Sequence, residues 1–129
     1  MAIVRSFRDL KVYKLSVSES YKLFVLSRGF PKEERYSLTD QVRRASRAVG
    51  ALIAEAWGRR RYPAAFASKI DEALSEAMET QAWLDHAVSC DYITRPEYRT
   101  RDAAWQQVGA MLNKMIQRAD DFCKTASQS

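Results

Sequence analysis

Residues 38–57, with the sequence LTDQVRRASRAVGALIAEAW, determine the fold class of this chain. Their apolar residues recur at alternating steps of four and three, which places them on one face of a helix. A stripe with this spacing is typical of a helix that packs nearly parallel or antiparallel to its neighbours. The stripe consists of Leu38, Val42, Ala45, Val49, Leu52 and Ala56.

Stripes on other segments indicate that the whole chain is a helical bundle. One stripe near the end of the chain has the same spacing and consists of Trp105, Val108, Leu112, Met115, Ala119 and Phe122. We also expect the first segment to face the core through a stripe that Leu15, Leu23 and Leu26 widen, and whose main residues are Leu10, Tyr13, Val17, Tyr21 and Phe24. Helix-ending glycines, together with prolines at segment starts, predict helices at about 10–28, 38–57, 63–90 and 96–125.

The short connections between these segments predict the topology. Short loops favour antiparallel neighbours, so we predict an all-α, up-down-up-down antiparallel four-helix bundle. The chain has 129 residues, of which 47% are hydrophobic, and this suffices for one core. We therefore assign residues 1–129 to a single domain.

The composition also indicates a cellular location. No stretch approaches the roughly 20 apolar residues that a membrane-spanning helix requires, and the first residues lack the apolar region of a signal peptide. We expect a cytoplasmic protein that has no membrane partner. Cys90 and Cys123 are then expected to be free thiols.

Positive charge is concentrated in the first half of the chain. The net charge is +5, but residues 1–61 carry a balance of +8 and residues 62–129 a balance of −3. Three arginines of residues 38–57 span an arc of about 100° nearly opposite the apolar stripe, so we expect them to face outward. Three more follow this helix, between Trp57 and Tyr62, whose rings can stack on unpaired bases. The candidate nucleic-acid-binding residues are Arg43, Arg44, Arg47, Arg59, Arg60 and Arg61.

Three interpretations of these arginines are open. Guanidinium groups contact phosphates bidentately, so the arginines can bind the backbone of RNA or DNA. They can instead meet the acidic face of a neighbouring subunit, which residues such as Glu76 and Glu79 would supply. They can also form a solvated face, in which Asp40 pairs with Arg43 and Arg44 and Glu55 pairs with Arg59.

The chain offers no complete set of residues for catalysis or metal binding. The one histidine, His86, stands four residues before Cys90, and two ligands do not make a structural zinc site. The Glu-x-x-His motif of di-metal bundles is absent, since position 83 is Trp83. The glycines are isolated, so there is no phosphate-binding loop. We predict that the protein is not an enzyme and has no metal or cofactor.

Apolar residues outside the main stripes predict self-association. A second apolar face on a bundle helix commonly packs against another subunit. The residues that we assign to this face are Val12, Leu15, Leu23, Ile53, Trp83 and Ile116.

Several short motifs, spread over about residues 7–118, together resemble a known family. The motifs are Phe7-x-Asp9-Leu10-x-Val12-Tyr13, Phe30-Pro31-x-Glu33-Glu34-x-Tyr36-x-Leu38-Thr39, Gln41-Val42-Arg43-Arg44-Ala45, Ile53-Ala54-Glu55-x-x-Gly58-Arg59, Tyr92-Ile93 and Leu112-Asn113-x-Met115-Ile116. This combination resembles the four-helix bundle proteins encoded in intervening sequences of large-subunit ribosomal RNA genes. That family is similar to the accessory variability determinant of diversity-generating retroelements.

The resemblance implies a homopentamer with a basic surface that binds RNA or DNA, sometimes beside a reverse transcriptase. The family often has Ile-Pro-Ser-Asn before Ile-Ala-Glu, whereas this chain has Val49-Gly50-Ala51-Leu52. The missing proline predicts a straighter second helix. The hypothesis is a non-enzymatic, oligomeric accessory protein that binds RNA or single-stranded DNA. The alternative is a protein-interaction scaffold whose basic and acidic halves serve subunit assembly.

Overall fold

The structure, a computed structural model, describes residues 4–127 and consists of helices and turns. A 3-10 turn, Phe7–Asp9, leads into α1, and a second turn, Lys32–Glu34, joins α1 to α2. The helices are α1 Lys11–Ser27, α2 Leu38–Trp57, α3 Pro63–Ser89, α4 Arg95–Gln117 and α5 Ala119–Ser127. The predicted all-helical fold is therefore confirmed.

The four long helices form a closed ring of neighbours. Helix α2 packs against α3, α3 against α4, and α1 against both α2 and α4, whereas the backbones of diagonal pairs of long helices within residues 4–127 stay more than 8 Å apart between Cα atoms. The loops that precede α2 and α4 meet at one end, where the rings of Phe30 and Tyr92 lie 5.5 Å apart. At the other end, the ring of Phe66 stacks on that of Phe122 at 5.9 Å. This arrangement is the predicted antiparallel bundle.

The stripes predicted on α2 and α4 form the core. Val42, Val49, Trp105 and Leu112 are all buried, as are the smaller members of both stripes, with Leu52, Ala119 and Phe122 at the edge. Helix α3 contributes Phe66 and further buried residues. The spacing of apolar residues therefore predicted these interfaces correctly.

The core-facing stripe predicted for α1 is only partly correct, since Leu10 and Leu23 are buried but its other members are not. Val17 and Tyr21 point to solvent, and Tyr13 and Phe24 are half-buried. Four of the six residues that the helix buries are polar, and the six are Val12, Ser16, Glu19, Ser20, Leu23 and Ser27. Three of them are serines, whose small side chains occupy little space at a helix contact.

Gly50 of α2 lies directly against side chains of α1. A Cβ atom at this position would lie 3.6 Å from the side chains of Tyr13, Ser16 and Val17. On the same interface, the hydroxyls of Ser20 and Ser46 lie 3.2 Å apart within hydrogen-bonding distance. Any side chain larger than alanine at position 50 would push the two helices apart.

The second apolar face predicted for self-association is wrong. Val12, Leu23 and Ile53 lie in the core, because α1 and α2 are rotated so that these positions face inward. Leu15, Trp83 and Ile116 are half-buried and pack against the core. The exposed apolar side chains of the bundle are different residues, namely Val17, Tyr21, Val25 and Met78.

The predicted fourth helix is divided into two. Helix α4 ends at Gln117, and Arg118 adopts φ −112° and ψ 29°, outside the helical region. Helix α5 then changes direction, so that Phe122 reaches Phe66 of α3 and Cys123 is buried. No helix of residues 4–127 has a stretch long and apolar enough to cross a membrane.

Two tyrosine hydroxyls donate hydrogen bonds to carboxylates, and this raises the pKa of both phenols to about 12. Tyr92 Oη donates to Glu34 Oε2 at 2.9 Å, and Tyr98 Oη donates to Asp85 Oδ1 at 2.6 Å. Proton loss from either phenol breaks the bond and places two negative charges side by side. Each bond therefore stabilises the fold while its phenol is protonated.

In the wild type, Tyr92 and Tyr98 should ionise near pH 12. We expect the Tyr98→Phe variant to lose one of these two ionisations. A phenol whose pKa is higher in the folded than in the unfolded chain stabilises the fold fully below about pH 10, and this contribution disappears between about pH 10 and 12. The stability difference from wild type should shrink over that range. Absorbance at 295 nm during alkaline titration measures the ionisations, and urea unfolding measures the stability. Tyr36→Phe, at a ring that is 85% exposed, is the control and should leave both late ionisations in place.

Candidate functional site

Three arginines gather around one phenylalanine at the outer contact between α1 and α2. The guanidinium carbons of Arg28, Arg43 and Arg47 lie 4.8, 4.6 and 5.2 Å from the centre of the Phe24 ring. Each distance is within the range of a cation–π interaction. Arg28 directly follows α1, and the other two arginines stand one turn apart on α2. We call Phe24, Arg28, Arg43 and Arg47 the Phe24 cluster.

The Phe24 cluster carries positive charge that no carboxylate balances. Within residues 4–124, none of its three guanidinium groups forms an ion pair. Arg43 is half-buried rather than fully outward, and its Nε donates a hydrogen bond to Ser27 Oγ at 2.8 Å. That bond holds one guanidinium in place beside the ring. The cluster is therefore a partly ordered cationic site with no anion of its own.

Arg44 points away from the Phe24 cluster, towards α3. Its Nη2 donates to Gln41 Oε1 at 3.2 Å. Burial, a hydrogen bond that the protonated Glu76 carboxyl donates to Glu79, and the negative charge of Glu79 raise the pKa of Glu76, and the positive charge of Arg44 opposes this rise. Arg44 is exposed, as predicted, but its charge acts on the acidic residues of α3.

The second group of predicted arginines lies at the far end of α2. Arg60 stacks on the Trp57 ring at 3.6 Å, and its Nε donates to the Trp57 carbonyl at 3.0 Å. Arg59 and Arg61 are exposed beside it, and Tyr62 is also exposed. Fourteen residues of helix, about 20 Å, separate Arg43 from Trp57. The six predicted arginines are therefore not one site: two belong to the Phe24 cluster, three lie at the far end of α2, and Arg44 belongs to neither group.

The internal ion pairs considered for these arginines are not formed. Within residues 4–124, Asp40 pairs with neither Arg43 nor Arg44, and Glu55 lies 3.9 Å from Lys69 of α3 rather than beside Arg59. Lys69 also contacts Glu72 at 3.1 Å. The acidic residues of the bundle therefore leave the two arginine groups uncompensated.

An open groove of about 550 Å³ runs between α1 and α2 and reaches the Phe24 cluster. The small residues that line it are Ser16, Ser20, Ser46, Gly50, Ala51 and Ala54. The large side chains that line it are Phe7, Tyr13, Val17, Tyr21, Phe24 and Arg47. Its one charged lining residue is therefore cationic. We call this feature the α1–α2 groove.

Sequence reasoning missed the α1–α2 groove, because it assigned Tyr13, Val17, Tyr21 and Phe24 to the core. The signal that was available is the pattern of serines, which recur on α1 at positions 16, 20 and 27. Serines at helical spacing mark a close helix contact. The larger residues beside them are then left at the surface.

The other candidate chemistry of the chain is not assembled into a site. Residues 4–124 contain no group of three or more histidine, cysteine or acidic side chains that could hold a metal ion. His86 and Cys90 are both exposed near the end of α3, with the His86 ring 5.5 Å from Trp83. Cys90 and Cys123 are free thiols, as predicted.

One buried ion pair was also missed. Glu19 of α1 is 4% exposed, and its carboxylate contacts Arg101 Nη1 of α4 at 3.0 Å and Lys22 Nζ at 3.1 Å. It lies on the face of α1 that meets α4, and it tethers these two helices. The sequence did carry a signal for this, because Glu19 stands at helical spacing from Val12, Ser16 and Leu23 and therefore lies on the same buried face of α1.

Comparison with known proteins gives one family. The sequence profile of the 23S rRNA-intervening sequence protein family matches residues 8–114. Among solved structures, the chain is similar to a protein of unknown function from the S23 ribosomal protein family of Bacteroides thetaiotaomicron. The two share 27% identity and superpose with a TM-score of 0.74, over 82% of this chain and 95% of the other. None of the curated proteins compared with the chain matches it.

Proposed function

The chain belongs to the 23S rRNA-intervening sequence protein family, and we propose that it is a non-enzymatic, oligomeric protein that binds RNA or single-stranded DNA. The Phe24 cluster is the observation that carries this proposal. Three guanidinium groups within about 5 Å of one ring, without a carboxylate partner in the described residues, favour an anion as ligand. Phosphates along a nucleic-acid backbone supply such anions.

The two arginine sites support binding along an extended ligand. They lie about 20 Å apart on α2, which a single strand of several nucleotides spans. Arg60 stacked on Trp57, with Arg59 and Arg61 exposed beside it, supplies a second set of phosphate contacts at the other end. Binding should therefore weaken steeply with salt, because each neutralised phosphate releases counterions.

Self-association into a closed ring, a homopentamer by resemblance, is part of the proposal. Val25 is 43% exposed beside the α1–α4 contact and Met78 is 61% exposed on α3, and both supply apolar surface for a neighbouring copy. A ring would repeat the arginine sites and strengthen weak contacts by avidity. We place this assembly in the cytoplasm, where RNA and a partner such as a reverse transcriptase are present.

The test is fluorescence anisotropy with a labelled mixed-sequence RNA and a matched single-stranded DNA, at about 50 and 200 mM salt. We expect binding at the lower salt, and a loss of at least about tenfold in the Arg43→Glu/Arg44→Glu/Arg47→Glu variant, because the two phosphate contacts of Arg43 and Arg47 become repulsive and the nearby charge of Arg44 is also reversed. The control is Arg95→Glu/Arg99→Glu/Lys114→Glu, which changes the net charge equally at exposed positions of α4. Absence of binding by the wild type, or an equal loss in the control, would contradict the proposal.

A protein-interaction scaffold is the second candidate. The observation that favours it is the exposed charge of Arg44, which acts on the acidic residue Glu76 of α3, because the same kinds of group on two copies would complement each other. In this case the triple arginine variant should change the mass measured by light scattering. An unchanged mass with lost nucleic-acid binding counts against the scaffold.

A further inference from the structure

We propose that the α1–α2 groove binds an unpaired nucleobase, so that the protein selects single-stranded over duplex nucleic acid. This inference rests on the proposed nucleic-acid binding and adds the part of the ligand that enters the fold. Exposed arginines alone would accept the backbone of a duplex as readily as that of a single strand. The groove is what distinguishes the two.

The size and lining of the groove suit a flat aromatic ligand. Its volume of about 550 Å³ lies within the range of small-molecule sites. Ala51 and Ala54 have small side chains that leave space beside the helix surface, and Tyr21, at the groove, is 65% exposed. Bases stack on such exposed aromatic rings, whatever their sequence. A paired base in a duplex cannot offer its faces in this way.

Charge along the groove fits a nucleotide better than an apolar peptide. Arg47 lines the groove, and Arg43 lies beside the same Phe24 ring, so a base in the groove would place its phosphate near two guanidinium groups. None of the residues that line the groove is acidic. An apolar helix from another protein would leave these charges unmatched.

The serines at the base of the groove bond to the protein itself. Ser16 Oγ donates to the Tyr13 carbonyl at 2.8 Å, and Ser46 Oγ donates to the Arg43 carbonyl at 3.1 Å. Both side chains are buried, and Ser46 Oγ also lies 3.2 Å from Ser20 Oγ. A base would therefore be held by stacking and by charge, which do not depend on its sequence.

The test compares a labelled 12-nucleotide RNA, the DNA of the same sequence and a 12-base-pair duplex, at about 50 mM salt. We expect the wild type to bind the single strands more tightly than the duplex. Tyr21→Ala should weaken single-strand binding about 5- to 100-fold, which is the loss of one stacked base, and leave duplex binding and the slope against salt unchanged. Tyr36→Ala, at an exposed ring that does not line the groove, is the matched control.

A second variant, Ala51→Leu, fills the groove from an exposed position and should have the same effect as Tyr21→Ala. An unchanged preference for single strands in both variants would overturn the inference but leave the proposed function standing. Wild-type protein that binds none of the three probes would overturn both. A third outcome would also overturn the inference. If the two variants change the mass measured by light scattering but not the affinity of each subunit for single strands, a second copy of the chain, and not a base, occupies the groove.

Discussion

Replacing Arg101 with alanine should lower the free energy of unfolding by about 3 kcal/mol and the midpoint of thermal unfolding by about 10 °C. The variant leaves the Glu19 carboxylate, which is 4% exposed, without its partner from α4. Removal of one member of a buried ion pair is costly, because the remaining charge has lost both water and counter-charge. Lys22 still contacts the carboxylate, so the loss should fall at the lower end of the usual range.

The same experiment separates the buried pair from a general effect of charge. Arg99→Ala removes an exposed arginine two residues away and should change stability by less than about 0.5 kcal/mol. Glu19→Met/Arg101→Met should recover most of the loss, since an apolar pair of similar volume needs no counter-charge. Urea unfolding followed by circular dichroism measures all three. Equal stabilities for Arg101→Ala and Arg99→Ala would show that the pair contributes nothing.

Trp105→Ala should be the most destabilising single substitution, with a cost of about 3–5 kcal/mol. Trp105 is fully buried on α4 and is the largest fully buried side chain of the described residues. Its removal leaves a cavity that the surrounding helices can fill only in part. For a domain whose total stability is about 5–15 kcal/mol, this is a large share.

Trp105→Phe provides the comparison for that prediction. The indole Nε1 of Trp105 is buried, and it has no hydrogen-bond partner among the described residues. Phenylalanine therefore retains much of the aromatic volume and sacrifices no hydrogen bond, so its cost should be less than half of that of alanine. Similar unfolding midpoints for the two variants would show that packing volume does not dominate at this position.

Apolar periodicity predicted the core-facing side of α2 and α4 correctly. It predicted the core-facing side of α1 only in part, because the buried face of α1 does not follow that periodicity. Helices α2 and α4 bury the stripes that contain Val42, Val49, Trp105 and Leu112, because large apolar side chains dominate their packing. Helix α1 packs through serines and Glu19, and a hydrophobic pattern cannot detect an interface built from small polar side chains. The break at Arg118 was missed because neither proline nor glycine marks it.

The candidate site was predicted only as a list of residues. Helical spacing placed Arg44 and Arg47 outward correctly. It could not show that Arg43 turns back to Ser27, or that Arg28 joins Arg43 and Arg47 at Phe24, because these contacts cross between two helices. The α1–α2 groove follows from the rotation of α1, which depends on packing rather than on periodicity.

The small, polar contact face of α1 has a consequence for how the molecule opens. Helix α1 fully buries only two of its large apolar side chains, Val12 and Leu23, whereas α2, α3 and α4 share the main core. Segments with little apolar burial detach at a lower free energy than the rest of a domain. Helix α1 is therefore the long helix whose amide hydrogens should exchange with solvent first, while the other three remain folded. Since one wall of the α1–α2 groove belongs to α1, an occupant of the groove would slow this local opening and couple ligand binding to the order of the first helix.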